Sequence, residues 1–434
     1  MKLSVLGTGY LGAVHAACMA ELGFEVVGVD VDAEKIENLK AGKAPFFEPD
    51  FEPILQRNLA NGRLTFTTDF AEIADADVHF IAVGTPQSAD GLAADTRYVD
   101  SATMAIAKYA KVGSIVAGKS TVPVGTAARL QQMLDDNSPH HIELAWNPEF
   151  LREGFAVKDT LHPDRVVIGV QGNSAEAKLR EVYISMIHAG TPFLVTDFPT
   201  AELVKVAANA FLATKISFIN AMAEVCETVG GDVVALADAI GHDVRIGRRF
   251  LNAGIGFGGG CLPKDIRAFQ ARAAELGVEE AVAFLRDVDD VNTRRRQRVV
   301  NLASELLESE VAGKRVCVLG AAFKPNSDDV RDSPALDIAD SLQKLGAEVI
   351  IYDPEAMPNA TKRFPALQAA DSIDAALKDA DIVLHLTEWS VFKEIDPVHA
   401  KSLVKNPIVI DGRNNLDLQA WRSAGWSAKA LGRP

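Results

Sequence analysis

The segment Val5-Leu6-Gly7-Thr8-Gly9-Tyr10-Leu11-Gly12 constrains this chain more than any other. Residues 3–6 form an apolar strand and residues 10–22 carry a helical pattern, which puts the three glycines at a strand–turn–helix junction. There the first glycine permits the turn, the second admits a pyrophosphate, and the third lets helix and strand pack closely. A second strand, Glu25-Val26-Val27-Gly28-Val29-Asp30, ends in an acid placed to bond a ribose diol. Such an acid repels the extra phosphate of NADP, so the pattern predicts a parallel α/β sheet that binds NAD.

The same rhythm continues through Leu64–Thr67, Val78–Val83, Ser114–Ala117, Asp164–Gly169 and Thr191–Val195. It changes after Pro199: residues 201–229 are a helical run free of glycine and proline, and a second long helix is expected over about 279–307. Strands resume at Arg315–Leu319, Glu348–Tyr352, Asp381–His385 and Pro407–Asp411, with a helix at 334–345. Here Gly320, Ala322 and Phe323 replace the three-glycine fingerprint, so a different nucleotide-like ligand is expected, with Lys324, Arg331 and Arg413 as its charge partners. At 434 residues the chain exceeds what one core organises. The fold class read from this is α/β: two doubly wound Rossmann-like domains, 1–199 and 309–434, joined by a central all-helical region over 200–308.

Composition narrows the function. A formal charge of -15 argues against nonspecific binding to nucleic acid. No stretch approaches the roughly 20 uninterrupted apolar residues of a spanning helix, and the N-terminus runs straight into the first strand, so neither a membrane segment nor a cleaved signal is expected. The four cysteines, at 18, 226, 261 and 317, make no CxxC and no His/Cys cluster. A cytoplasmic, reducing setting without a metal site is the expectation.

One cysteine stands apart. In Gly256-Phe257-Gly258-Gly259-Gly260-Cys261-Leu262-Pro263-Lys264-Asp265 it closes a glycine-dense loop, Pro263 is suited to opening a helix, and Lys264 with Asp265 supplies a proton-handling or charge-stabilising pair. A thiol at a helix N-terminus beside a cation is acidified and becomes a nucleophile candidate; the alternative is a small buried hydrophobe. Lys205 and Asn209, four apart amid apolar residues with Glu202 one turn before them, are either a polar site or a solvated stripe. Glu149 and Glu153 are also four apart and share a face if the turn is helical; they are surface groups or part of a site that handles water and protons. The hydroxyls of Ser120-Thr121 and Thr126 could simply cap the next helix. Arg294-Arg295-Arg296 reads as a solvated or interface face.

Taken together, the glycine fingerprint at 7–12, Ser120–Thr126, Asn147–Gly154, Pro199–Asn209, Phe250–Asp265, Ala322–Pro334 and Asp411-Gly412-Arg413 resemble the UDP-glucose 6-dehydrogenase family of nucleotide-sugar dehydrogenases across essentially the full length. The resemblance implies oxidation of the C6 alcohol of a sugar nucleotide to a carboxylate with two NAD+, and a dimer formed by the central helices. It implies Cys261 as covalent nucleophile, Lys205 as the cation for developing alkoxide and oxyanion, and Asn209 as its helper. Asp265 would take the first proton together with Lys205 and a water, Glu149 would serve as acid/base for thioester hydrolysis, and Thr121 and Glu153 would position water. Cofactor contacts are implied for Gly7, Gly9, Tyr10, Leu11, Gly12, Asp30, Lys35, Thr85, Thr121, Glu153, Lys264, Lys324 and Arg331. Substrate contacts are implied for Glu149, Phe150, Leu151, Lys205, Asn209, Phe250, Leu251, Asn252, Gly256, Phe257, Gly258, Cys261, Lys324 and Arg413, with Arg245 reaching the neighbouring subunit's substrate.

Two positions depart from the family: Gly260 stands where serine is common, widening backbone freedom, and Asn252 where some relatives carry lysine. UDP-glucose is the leading substrate. GDP-mannose is the alternative with the same chemistry, while dehydrogenases of UDP-N-acetylated sugars usually place histidine before the cysteine. A silent nucleotide sensor would not need the intact catalytic set, and an ordinary two-electron hydroxy-acid dehydrogenase would leave Cys261 without a task.

Overall fold

The computed structural model describes residues 1–89 and 91–434. It divides into two compact units, Met1–Ala208 with Arg267–Glu279, and Asn209–Ile266 with Glu280–Pro434.

The first unit holds strands β1 (Lys2–Leu6), β2 (Glu25–Val29), β3 (Leu64–Thr67), β4 (Val78–Ile81), β5 (Ile115–Gly118), β6 (Glu143–Trp146), β7 (Val166–Val170) and β8 (Phe193–Thr196), in the order β3-β2-β1-β4-β5-β6-β7-β8. Strands β6 and β7 are antiparallel and the other neighbours parallel. The first six follow the 3-2-1-4-5-6 order of a doubly wound dinucleotide fold, whose ligand crevice opens where the order reverses, between β1 and β4. Strands β4 and β5 are buried along their whole length, as parallel strands covered on both faces must be. Helix α1 (Tyr10–Glu21) is buried from Gly12 to Ala20, and its small residues let it lie close to the sheet and to the helices Phe51–Ala60 and Ala156–Leu161.

Between β8 and the next strand the described residues form helices and loops. Helix α2 (Phe198–Val229), 32 residues long, runs from the first unit into the second. By length and composition it could cross a membrane. Its inward residues are nonetheless used in protein packing: Phe198 and Ala201 in the first unit's core, and Ile219, Ala223 and Cys226 in a cluster of the second.

The second unit repeats the doubly wound pattern with β9 (Arg315–Leu319), β10 (Glu348–Tyr352), β11 (Gln368–Ala369), β12 (Ile382–His385), β13 (Ile408–Asp411) and β14 (Ser427–Ala430). These are parallel, in the order β11-β10-β9-β12-β13-β14. Helix α3 (Leu262–Glu275) starts in this unit, which also contains α4 (Phe284–Leu306) and α5 (Pro334–Lys344). The two-sheet α/β class with a helical middle is therefore as the sequence predicts. Strands β6, β11 and β14 are additions. Ser-Ala-Lys-Ala in β14 has no β-branched residue, and it is pairing with β13 that makes it a strand.

Candidate active site

In the first unit the glycine fingerprint stands at the switch point. A Cβ on Gly12 would lie 1.8 Å from the Gly7 carbonyl oxygen, so only glycine allows α1 to start that close to β1. A Cβ on Gly9 would meet nothing within 4 Å, which leaves open space where a pyrophosphate belongs. Gly9 caps α1 without a side-chain hydrogen bond and no acid occupies its first turn, so neither a cap nor a first-turn carboxylate competes for an anion there. Asp30 follows β2 and accepts from the Thr8 amide (2.7 Å), the Thr8 hydroxyl (3.1 Å) and Lys35 Nζ (3.0 Å). Burial opposes its charge, but the amides of Thr8 and Asp32 and the Lys35 ammonium outweigh burial and hold its carboxyl below the usual aspartate value. Asp30 is thus an anion at neutral pH, as a ribose-diol acceptor should be. These features fit a dinucleotide.

The turn after β6 carries the acid residues. Asn147 to Glu153 is irregular, so Glu149 and Glu153 do not share a helical face as their spacing suggested. Pro148 lacks an amide hydrogen, the Glu149 carboxylate accepts from the Leu151 amide at 2.7 Å, and Gly154 adopts a φ of 78°. The turn is held by a residue the motif reading missed. Buried Glu48 accepts from the amides of Gly154 (2.7 Å) and Ala156 (2.6 Å) and from the Tyr10 hydroxyl of the fingerprint itself.

Lys205, on α2, donates to Glu149 Oε1 at 2.8 Å, and both side chains are nearly inaccessible. Lys205 therefore belongs to a buried charge pair and not to a solvated stripe. Glu202 is buried as well, accepting from Gly125 N and Ala127 N at 2.7 Å each. That carboxylate, and not the hydroxyls of 120–126, takes up the amides at the N-terminus of the helix Thr126–Asn137. Ser120 and Thr126 donate instead to the carbonyls of Val83 and Pro123, and Thr85 donates to that of Thr121 at 2.7 Å. Two cations approach the Phe150 ring, Arg165 at 3.9 Å and Lys205 at 5.7 Å from its centre.

In the second unit Cys261 is exposed, while Cys18, Cys226 and Cys317 are buried. Its carbonyl accepts the first α3 hydrogen bond, from Asp265 N at 2.9 Å, which places the thiol at the helix N-terminus. Asp265 is buried; its Oδ2 accepts from Asn209 Nδ2 at 2.7 Å, and Lys264 Nζ lies 2.6 Å from Oδ1. A Cβ on Gly260 would sit 2.4 Å from the Arg331 guanidinium carbon. Glycine at this position therefore makes room for a cation, a different reason from the backbone freedom inferred above. Arg331 is also bound by Asp329 at 2.7–3.0 Å, and Lys324 lies 5.3 Å from the Phe323 ring centre.

The loop before Cys261 is tied by three residues of one helix, α4. Asn292 accepts from Phe257 N (2.7 Å) and donates to its carbonyl (3.0 Å), and Arg295 donates to the Gly254 carbonyl (3.2 Å). Arg296 bonds the Phe257 carbonyl (3.3 Å), Asp332 (2.9 Å) and Asp337. Arg295 is 0% exposed, which overturns the expectation of a solvated or interface face for this part of the triplet; only Arg294 is largely exposed, against Glu224. The periodicity of α4 contained this signal, because 292, 295 and 296 share one helical face. Arg413 spends its guanidinium on the carbonyls of Leu386, Gly256 and Phe323, at 2.8–3.1 Å. Leu251 is buried, whereas Phe250, at φ 65°, and Asn252, bound to Arg248 at 2.7 Å, are exposed. Arg245 is exposed and paired with Asp243.

The second sheet also ends its second strand in an acid. Asp353 accepts from Ala321 N (2.7 Å), Ala322 N (3.0 Å) and Trp389 Nε1 (3.0 Å). It is consumed in bracing its own loop, which agrees with the lack of a dinucleotide fingerprint there.

Sequence comparison matches three consecutive domain models of one family: its NAD-binding domain over residues 1–187, its central domain over 199–294 and its UDP-binding domain over 317–418. The chain belongs to the UDP-glucose/GDP-mannose dehydrogenase family. As a dehydrogenase of this family it uses NAD, in agreement with the open Gly9 turn and the ionised Asp30. It is 43% identical over 437 residues to the UDP-glucose 6-dehydrogenase TuaD of Bacillus subtilis (strain 168), covering 100% of this chain and 93% of that one. It is 40% identical to a UDP-glucose 6-dehydrogenase of Rhizobium meliloti (strain 1021), with 100% of both covered. Among solved structures, a UDP-glucose dehydrogenase from the hyperthermophilic archaeon Pyrobaculum islandicum superposes with a TM-score of 0.92 at 38% identity, covering 100% of this chain and 98% of that one.

Proposed function

We propose that this dehydrogenase oxidises UDP-glucose to UDP-glucuronate through a thioester on Cys261. The observation that carries the proposal is the exposed Cys261 thiol at the start of α3, in the same unit as the buried Asn209–Asp265 pair. The names of the full-length relatives support the choice of substrate. NAD+, when bound, accepts hydride, and two equivalents with one water balance the conversion of a primary alcohol to a carboxylate. An aldehyde keeps one hydrogen on C6 but has no hydroxyl there, so it lacks the tetrahedral alkoxide from which a second hydride can leave. Addition of the Cys261 thiolate to C6 creates a thiohemiacetal whose oxidation yields a thioester. Lys205 stabilises the oxyanion on C6, with Asn209 orienting the same oxygen. Asp265 with Lys205 and a water takes the first proton, Glu149 serves the hydrolytic water, and Thr121 and Glu153 position that water.

Gly7 to Gly12, Asp30, Lys35, Thr85, Thr121, Glu153, Lys264, Lys324 and Arg331 make up the cofactor side of this proposal. Residues 149–151, 250–252 and 256–258, with Lys324 and Arg413, make up the substrate side. The division 1–199, 200–308 and 309–434 describes the cofactor, central and substrate parts. The reading also places the enzyme in the cytoplasm, where reducing conditions keep Cys261 a thiol. Limiting UDP-glucose with excess NAD+ is expected to give two NADH per sugar nucleotide, read by NADH absorbance, with little response to GDP-mannose. One NADH per UDP-glucose would overturn the thioester route, and a preference for GDP-mannose would overturn the substrate.

The homodimer, with Arg245 reaching its partner's substrate, is part of the same proposal. On α2, Phe211, Phe218 and Val225 are 65%, 50% and 52% exposed at seven-residue spacing, an apolar seam of the kind that helices bury against one another. Light scattering should give twice the 46.5 kDa chain mass for the wild type and the monomer mass for Phe218→Asp. A monomeric wild type would remove the dimer from the proposal.

A further inference from the structure

At the carboxyl end of β5 lies a lysine that none of the roles above uses. Lys119 is 6% exposed. Its Nζ donates to Asn147 Oδ1 (3.1 Å) and approaches the Tyr183 hydroxyl (3.2 Å). It also stands 5.8 Å from the Phe80 ring centre and 5.7 Å from that of Tyr183. Asn147 is fixed on every side: it receives the Tyr183 hydroxyl at 2.6 Å, donates to Val167 O at 2.8 Å, and its amide donates to Gly118 O at 2.8 Å. From Asn147 the chain turns through Pro148 into Glu149, the partner of Lys205. The charged and titratable groups around Lys119 are Glu149 and Lys205, which act on it electrostatically, Tyr183, and His15, which burial first and the Lys119 charge second keep neutral.

A buried ammonium with neutral hydrogen-bond partners is a poor way to fill space, because an apolar side chain of the same length avoids the desolvation cost. We propose that Lys119 is a positioning residue of the oxidation: its ammonium locks Asn147 at the root of the acid-bearing turn and adds a second positive charge to the field at the Glu149–Lys205 pair. The proposal rests on the role of Glu149 given above. Burial lowers the Lys119 pKa from 10.5 to about 8. The charge, and the rate it supports, is therefore present below pH 8 and is lost as pH rises through that value.

The test uses full-length Lys119→Met and Asn147→Asp, assayed for NADH formation from UDP-glucose across pH and scanned for thermal unfolding. For Lys119→Met, kcat at neutral pH should fall roughly 10- to 100-fold, the scale of a modest misplacement in an active site. KM should change little, the alkaline limb near pH 8 should vanish, and Tm should not fall. The wild type should also gain stability relative to this variant as pH climbs from about 8 towards 10.5, because over that window the unfolded lysine holds a proton that the folded one has released. Asn147→Asp sets a carboxylate against the ammonium and should move the limb to higher pH. An unchanged kcat with the limb retained in Lys119→Met overturns the proposal. So does a fall in Tm and activity together while the limb of the remaining activity stays in place, since that is the signature of packing alone. Wild-type enzyme that fails to yield two NADH per UDP-glucose would instead defeat the parent reading.

Discussion

Cys261→Ser is expected to bind NAD and UDP-glucose nearly as the wild type does and to form acid at least about a thousandfold more slowly, in line with losses on removing a covalent nucleophile. The thiol is exposed at the N-terminus of α3, where the helix dipole favours an anion, and Gly260 leaves space for the Arg331 guanidinium nearby. A serine hydroxyl at the same place is not ionised by these influences and gives no comparable adduct. The loss should appear in the second oxidation and in release of acid, with the first NADH equivalent much less affected. Isothermal titration reports binding, and quenched single turnovers report acid. Acid production at the wild-type rate in Cys261→Ser would end the covalent mechanism.

Lys205→Met should lower kcat by about 10²–10³, the usual consequence of deleting one oxyanion donor. It should also destabilise the fold by about 3–5 kcal/mol, because the Glu149 carboxylate 2.8 Å away is left buried without its cation. The two effects separate in the double variant with Glu149→Gln, which removes the orphaned charge. There Tm should recover while kcat stays low, or falls further. Calorimetry and initial rates test this; a kcat within tenfold of wild type for Lys205→Met would deny the residue its role at the oxyanion.

What local pattern could reveal was chemistry carried by neighbours in the chain. Glycines at 7, 9 and 12 between a strand and a helix are legible because turn geometry and close packing act over a few residues, and Gly12 meets Gly7 in the structure as that logic demands. The same holds for Asp30 after β2 and for Cys261 ahead of Pro263, where helix start and thiol position are set within four residues. Spacing failed where the chain between two residues was not the assumed element. Glu149 and Glu153 would share a face only on a helix, and Pro148 together with the Glu149–Leu151 bond directs that segment into a turn.

Residues that act by supporting others were legible only in part. Glu48 lies 106 residues from Gly154, and no motif links them; one buried carboxylate nevertheless joins the fingerprint tyrosine to the acid-bearing turn. Arg295 and Arg296 look like surface charge in a triplet, yet they are turned onto backbone carbonyls of the cysteine loop. Lys119 shows the same contrast: its sequence context is an ordinary strand end, and its environment is two aromatic rings and an asparagine. Short-range backbone sterics and periodic burial therefore set the elements, the nucleotide turn and the place of Cys261 at a helix start from the order of residues alone. Which charges are buried, and against what, was decided by tertiary packing, because desolvation and pairing depend on side chains brought together from distant parts of the chain.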